Sequence, residues 1–361
     1  MIYSWKWALK CSHYNIQKNQ NLFKYIIGFY YMDIHIITYG CTANQNNSEI
    51  LSGILRSSGH SLTNNKELAD IIILNTCVVK GKTENKIKRQ IQDLSKTNKL
   101  TIITGCMPET DNKQIKQLNT NTIFLGTHHF KDINKLIKNY FENKLTEKQQ
   151  DIFLDSQNET KLNLPKIPQN KLISITQISE GCYGNCSFCK TRLAKGPLFS
   201  YNQSDILKSI ENDLKNGAKE VWITSQDCAN YGMDFDDNKN NKSISPQEQS
   251  LANSFSKLSM NKRYQNKENS NQELPELLNK ILSLKHRFKL RLGMSDPDNI
   301  YQILEQLIII YKNKKMYKFL HIPIQSASNK VLADMNRKYK IEQVEEIINK
   351  FRKEIPDITI A

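Results

Sequence analysis

Residues 69–77 read ADIIILNTC. Consecutive isoleucines and a leucine make a continuous apolar run, the pattern of a strand buried on both faces. The run ends at a cysteine. The same arrangement occurs twice more, as DIHIITYGC at 33–41 and KLTIITGC at 99–106. Stretches with helical periodicity lie between, NNSEILSGILRSSG at 46–59 and TENKIKRQIQDLSK at 83–96. A β-α-β-α-β order predicts a parallel sheet. The carboxyl ends of its strands share one edge, where ligands bind. Cys41, Cys77 and Cys106 are therefore expected to converge. IFLG at 123–126 reads as a further strand and residues 130–143 as a closing helix.

The polar stretch 146–170, with Pro165 and Pro168, reads as a linker. A second region of strand and helix repetition follows. Strands are expected at 172–179, 220–226, 288–294, 317–325 and from 357, with helices at 204–218, 273–284, 299–312 and 341–354. That order resembles a (βα) barrel. Residues 236–272 are rich in asparagine, serine and lysine and read as a disordered insertion. The fold class is α/β: a parallel sheet domain over 33–145, then a partial barrel over 171–361 that stops within its fifth strand, the pattern expected of a truncated chain. Residues 1–32 read as an extension that is either translated or upstream of a start at Met32.

The chain has 361 residues, 39% apolar and 24% charged, as a globular protein should. Its net charge of +15 favours a polyanionic partner, although a lysine-rich genome produces the same excess. The apolar run at 22–32 is too short to span a bilayer and contains Lys24. No membrane segment is expected. A cytoplasmic location is, with an organellar leader within 1–32 or an endoplasmic-reticulum anchor beyond residue 361 as alternatives. Without a secretory signal, the eight cysteines point to metal or catalytic use rather than disulfides.

One stretch concentrates that chemistry. GCYGNCSFCK at 181–190 places Cys182, Cys186 and Cys189 within eight residues. A structural zinc site takes four ligands, and a four-iron cluster normally takes four cysteines. Each set of cysteines here offers three, which leaves one iron of a cluster open to a ligand. Histidines supply the alternative fourth ligand: His35, His128 or His129 for the first set, His321 for the second.

GCYGNCSFC resembles the cluster loop of the radical S-adenosylmethionine superfamily. The resemblance implies a [4Fe-4S] cluster on Cys182, Cys186 and Cys189, the catalytic set, whose open iron binds the methionine moiety and whose electron cleaves the cofactor to a radical. It also implies that Phe188 packs near the adenine. TYGCTANQNNSE (38–49), NTCVVKGKTENK (75–86) and TGCMPE (104–109) resemble the amino-terminal domain of the methylthiotransferases, where three such cysteines hold a second, sulfur-supplying [4Fe-4S] cluster. KTRLAKGPLFSY (190–201), EVWITSQDCANYGMD (220–234), LRLGMSDP (290–297) and FLHIPIQSASNKVLADMNRKY (319–339) resemble the eukaryotic and archaeal branch that acts on threonylcarbamoyladenosine in tRNA. The resemblance runs from about residue 33 to 361 and implies methylthiolation of carbon 2 of that adenine, with tRNA, an electron donor and a sulfur source as partners. The end of the family's barrel and its small carboxy-terminal RNA-binding domain have no counterpart here.

Ser225, Gln226 and Asp227 follow a strand end where the resemblance places the cofactor's amino group; a polar strand cap is the plainer reading. Arg291, a lone charge in an apolar strand, pairs either with cofactor or substrate or with an acid of the fold. Lys80, Lys82, Lys86, Lys88 and Arg89, with Lys190, Arg192 and Lys195, are candidates for phosphate contact, against the reading of a solvated basic face. Three other functions stay open: a methylthiotransferase acting on isopentenyladenosine tRNA or a ribosomal protein, a zinc-stabilised RNA-binding protein, and an inactive fragment.

Overall fold

The computed structural model describes residues 31–78, 81–97, 99–142, 153–154, 159–235 and 273–361. The expected insertion at 236–272, and the candidate Lys80, lie outside the described residues.

The first domain is a five-stranded, wholly parallel sheet. Its strands are β1 (Asp33–Thr38), β2 (Ser61–Leu62), β3 (Ile71–Thr76), β4 (Leu100–Gly105) and β5 (Thr122–Phe124), in the order β2-β1-β3-β4-β5. Both central strands are buried along their whole length, as their apolar runs demand. Alternation sorts them by face. Ile71 and Ile73 pack with Ile50, Leu51, Ile54 and Leu55 of α1 (Thr42–Ser57). Ile72 and Leu74 pack with Ile87, Ile91 and Leu94 of α2 (Gly81–Leu94). A third helix, α3 (Met107–Leu118), was not expected; it follows Cys106 directly and is kinked at Asp111. The expected helix at 130–143 is a 3-10 turn (Phe130–Asp132) leading into α4 (Ile133–Phe141).

Residues 159–170 form a packed strap between the domains. Glu49 of α1 accepts from the Gln169 amide at 3.1 Å, and its carbonyl accepts from Ile167 at 2.9 Å. Lys166 donates to the Ile175 carbonyl at 2.7 Å.

In the second domain β6 (Ile173–Gln177), β9 (Glu220–Thr224) and β10 (Lys289–Leu292) form a parallel sheet in the order β10-β9-β6. Tyr317 then bonds to Leu290 at 2.8 Å and leads to β11 (Phe319–Leu320), which pairs in parallel with β12 (Thr359–Ile360). Each strand thus lies beside its predecessor, the order of a (βα) barrel. Between them run α6 (Gln203–Lys215), α7 (Glu273–Ser283), α8 (Pro297–Gln302), α9 (Leu304–Tyr311), α10 (Asn329–Asp334) and α11 (Ile341–Glu354). A two-residue antiparallel pair, β7 (Ser179–Glu180) with β8 (Phe199–Ser200), closes the base of the 181–198 excursion, which includes α5 (Lys190–Lys195). Two expectations need correction. The single helix at 299–312 breaks at Ile303, which leaves helical geometry. The strand at 317–325 shrinks to two residues, and Pro323, which has no N–H, cannot extend the ladder beyond Ile322.

Candidate active site

The first set of thiols sits at the carboxyl edge of the sheet. Cys41 immediately precedes α1, Cys77 follows β3, and Cys106 immediately precedes α3. The register pairs Thr38 with Asn75 and Thr76 with Gly105, so the three strand ends are level. Side chains lock the ends together. Asn44 donates to the carbonyls of Tyr39 and Thr76, each at 2.8 Å. Asn75 donates to the Asn44 carbonyl at 2.7 Å, and Thr76 to the Thr104 carbonyl at 2.6 Å. Gly40 adopts φ +107°, and a Cβ there would stand 3.0 Å from Cys77 Sγ, so glycine is required for the close approach. Cys77 and Cys106 are buried and Cys41 is exposed. Burial pushes the Cys106 thiol up to about 11; Lys195 opposes this, while Cys41 and Cys77 add to it.

The second set follows β7. Gly181 turns at φ +67° against Pro197. Arg192 of α5 donates from one nitrogen to the carbonyls of Cys182, Tyr183 and Gly184 and so braces the turn from within. Gly184 N donates to Cys182 Sγ at 3.3 Å, and Asn230 Nδ2 approaches the same sulfur at 3.7 Å. Burial, reinforced by Asp227, pushes the Cys182 thiol up to about 12. Arg337 Nη1 donates to Cys186 Sγ at 3.1 Å. Phe188 is exposed at the loop's rim.

The helices that follow the two sets pack on each other. Helix α5 begins at the residue after Cys189 and packs on α3, which begins at the residue after Cys106. Ala194 is buried with Cys106 and Met107. Beneath them lies a buried charge cluster: Lys161 pairs with Glu180, Tyr201 donates to Glu180 at 2.7 Å, and His128 Nδ1 lies 3.7 Å from it. Burial alone would raise the Glu180 carboxyl; Lys161, Lys195 and His128 hold it well below the usual range.

Among the described residues, no three His, Cys, Asp or Glu side chains are gathered as a single metal ion needs. Tetrahedral zinc at 2.3 Å would draw thiol sulfurs to about 3.8 Å from each other. A cluster takes each sulfur on its own iron, and the donor chemistry suits it: three thiols in each set, amide and guanidinium donors beside Cys182 and Cys186, and the Gly40 backbone at close range to Cys77. His35 bonds the Thr63 carbonyl at 2.8 Å and His129 faces Asp132 at 3.1 Å, so both rings have partners in the fold.

The remaining candidates fall in three places. Ser225 and Asp227 are buried after β9 and Gln226 is half-buried. The Asp227 carboxylate accepts from Ala229 N at 3.0 Å, Asp296 N at 2.9 Å and Asn299 Nδ2 at 2.7 Å. Burial and then Asp296 push it up to about 7. Arg291 lies between the rings of Trp222 and Phe319, 4.7 and 4.6 Å from their centroids. Lys82, Lys86 and Arg89 line a shallow groove of about 420 Å³ on the outer face of α2, while Lys88 and Lys190 both pair with Glu84, at 2.7 and 3.5 Å. Arg192 and Lys195 point elsewhere than a solvated phosphate surface: Arg192 holds the loop, and Lys195 is only 2% exposed. Arg337 and Asp296 lay inside motifs already quoted, but nothing in their spacing marked them. Lys161 sits in a polar stretch with no periodic signal.

Comparison with known proteins matches residues 176–361 to the family described as the Radical SAM superfamily, and residues 33–126 to that described as Uncharacterized protein family UPF0004. A relative from Methanothermobacter thermautotrophicus, named probable threonylcarbamoyladenosine tRNA methylthiotransferase, is 32% identical over 91% of this chain and 68% of its own length. A human relative, named threonylcarbamoyladenosine tRNA methylthiotransferase, is 30% identical over 91% of this chain; the chain spans 51% of that relative. The solved structure of the cobalamin-dependent S-adenosylmethionine radical enzyme OxsB superposes with a TM-score of 0.57 over 97% of this chain and 52% of that one, at 11% identity.

Proposed function

The chain belongs to the radical S-adenosylmethionine superfamily and, within it, to the methylthiotransferases; from that premise we propose that it inserts a methylthio group at carbon 2 of N6-threonylcarbamoyladenosine beside a tRNA anticodon. The observation that supports this reading is the packing of α3, which begins at the residue after Cys106, against α5, which begins at the residue after Cys189. Cys182, Cys186 and Cys189 would hold one [4Fe-4S] cluster and Cys41, Cys77 and Cys106 a second. When bound, the clusters and S-adenosylmethionine supply the electron, the radical and the sulfur.

The chain's own residues do the rest. Gly181, Gly184 and Arg192 fix the backbone turn that carries Cys182. Ser225, Gln226 and Asp227 close the adjoining strand end, where a cofactor's amino group has acceptors. Phe188 offers a ring to adenine. Arg291, already stacked between two rings, orients the inner wall of the barrel. Lys82, Lys86 and Arg89 offer phosphate contacts that place the anticodon loop without reading its sequence, and an unpaired loop base is one a protein can splay out. An electron donor and a sulfur source are required partners. No helix among the described residues is long and apolar enough to cross a membrane.

The test is nucleoside mass spectrometry after anaerobic incubation of reconstituted protein with S-adenosylmethionine, dithionite and tRNA bearing threonylcarbamoyladenosine. The methylthio derivative of that nucleoside should form. Methylthiolation of isopentenyladenosine tRNA instead would reassign the substrate within the same family.

A further inference from the structure

The turn after α10 clasps the radical loop at its middle. Ser187 N donates to the Met335 carbonyl and Ser187 Oγ to the Asp334 carbonyl, both at 3.1 Å. Asn336, in the left-handed region at φ +56°, donates to the Asn185 carbonyl at 2.6 Å. These bonds deliver Arg337 to Cys186. Its guanidinium forks: Nη1 reaches Cys186 Sγ at 3.1 Å and Nη2 reaches Asp296 Oδ2 at 2.6 Å. Its side chain is 8% exposed. Asp296 is itself fixed, with Oδ1 capping α8 through Asp298 N at 3.0 Å and its own amide on Asp227.

We propose that Arg337 is a positioning residue that sets the reduction potential of the cluster on Cys182, Cys186 and Cys189 through this charged N–H···S bond, and that Asp296 limits how much of its charge the cluster feels. This rests on reading the loop as the cluster site. Reduction adds one electron, delivered by a low-potential one-electron donor, and makes the cluster more negative. A cationic donor on a ligating sulfur stabilises the more negative state more. Burial keeps water from screening the effect. The partner carboxylate opposes it. The two residues therefore act with opposite sign, which a purely structural clasp would not do.

The experiment is a dithionite titration of the full, anaerobically reconstituted chain followed by electron paramagnetic resonance. The loop's cluster is identified as the signal that changes when S-adenosylmethionine is added. Arg337→Met should lower its midpoint by about 59 mV, a tenfold fall in the reduced fraction at fixed potential. Arg337→Lys should fall between Arg337→Met and the parent. Asp296→Asn, which retains a helix-capping side chain, should raise it. If Arg337→Met loses its iron, the Lys and Asn variants decide. Unchanged midpoints with full iron, or Arg337→Lys and Asp296→Asn moving in the same direction, overturn the assignment. A parent chain that takes up no iron overturns the cluster reading itself, and this assignment with it.

Discussion

A Cβ on Gly181 would stand 1.9 Å from the carbonyl oxygen of Pro197, at a backbone φ of +67°. The glycine and the β7–β8 pair together pinch the radical loop shut at its base. Gly181→Ala adds about 1–2 kcal/mol of left-handed strain and forces backbone apart. The expected outcome is a folded first domain and loss of about half the bound iron. Full iron retention would show that the pinch does not shape the site.

Gly40 plays the matching part for the other set, since a Cβ there would lie 2.7 Å from Cys77 Cβ. Gly40→Ala should also remove about half the iron, but the signal that responds to S-adenosylmethionine should survive. The two glycine variants therefore lose opposite clusters, and resonance spectra of the pair distinguish them.

Arg192 and the α2 lysines separate loop support from phosphate contact. Arg192→Gln should weaken iron retention and leave the salt dependence of tRNA binding unchanged. Lys82→Glu or Arg89→Glu should weaken tRNA binding and reduce the slope of log affinity against log salt by about 1 each. Filter binding over a salt series checks this. An unchanged slope in the α2 variants would return those side chains to a merely solvated face.

His128 should make the fold acid-sensitive. Burial holds its imidazole down to about 4, against the pull of Glu180, while the ordinary value is 6.5. The unfolded chain therefore binds more protons between those values, and stability falls as pH drops from about 6.5 to about 4. The loss is on the order of 3 kcal/mol. Urea midpoints at pH 7 and pH 4.5 should differ less in His128→Asn than in the parent. Equal differences would place the acid sensitivity elsewhere.

The convergence of Cys41, Cys77 and Cys106 was legible because three apolar runs ending in cysteine, separated by helical periodicity, admit few topologies. The radical loop was legible because its spacing is compact and its glycines local. Helix α3 was not: MPETDNKQIKQL carries Pro108, a kink at Asp111 and only Met107, Pro108 and Ile115 as buried positions. The break at Ile303 lies inside NIYQILEQLIIIYK, whose helical pattern runs through it without a glycine or proline to mark a stop. Arg337 and Asp296 are 41 residues apart in sequence and meet only through the turn after α10, so no local pattern announces their pairing. Lys195 reads as a surface lysine in sequence and is buried because α5 lies against α3, a packing that periodicity in a six-residue helix cannot reveal.

The central claim is that this chain carries two clusters on two triads of cysteine. Iron and acid-labile sulfide measured on anaerobically reconstituted protein test it most directly. The account predicts about eight of each per chain, falling to about four in Cys182→Ala and, separately, in Cys106→Ala. Stoichiometric zinc without sulfide, or the same iron content in both variants as in the parent, would contradict it.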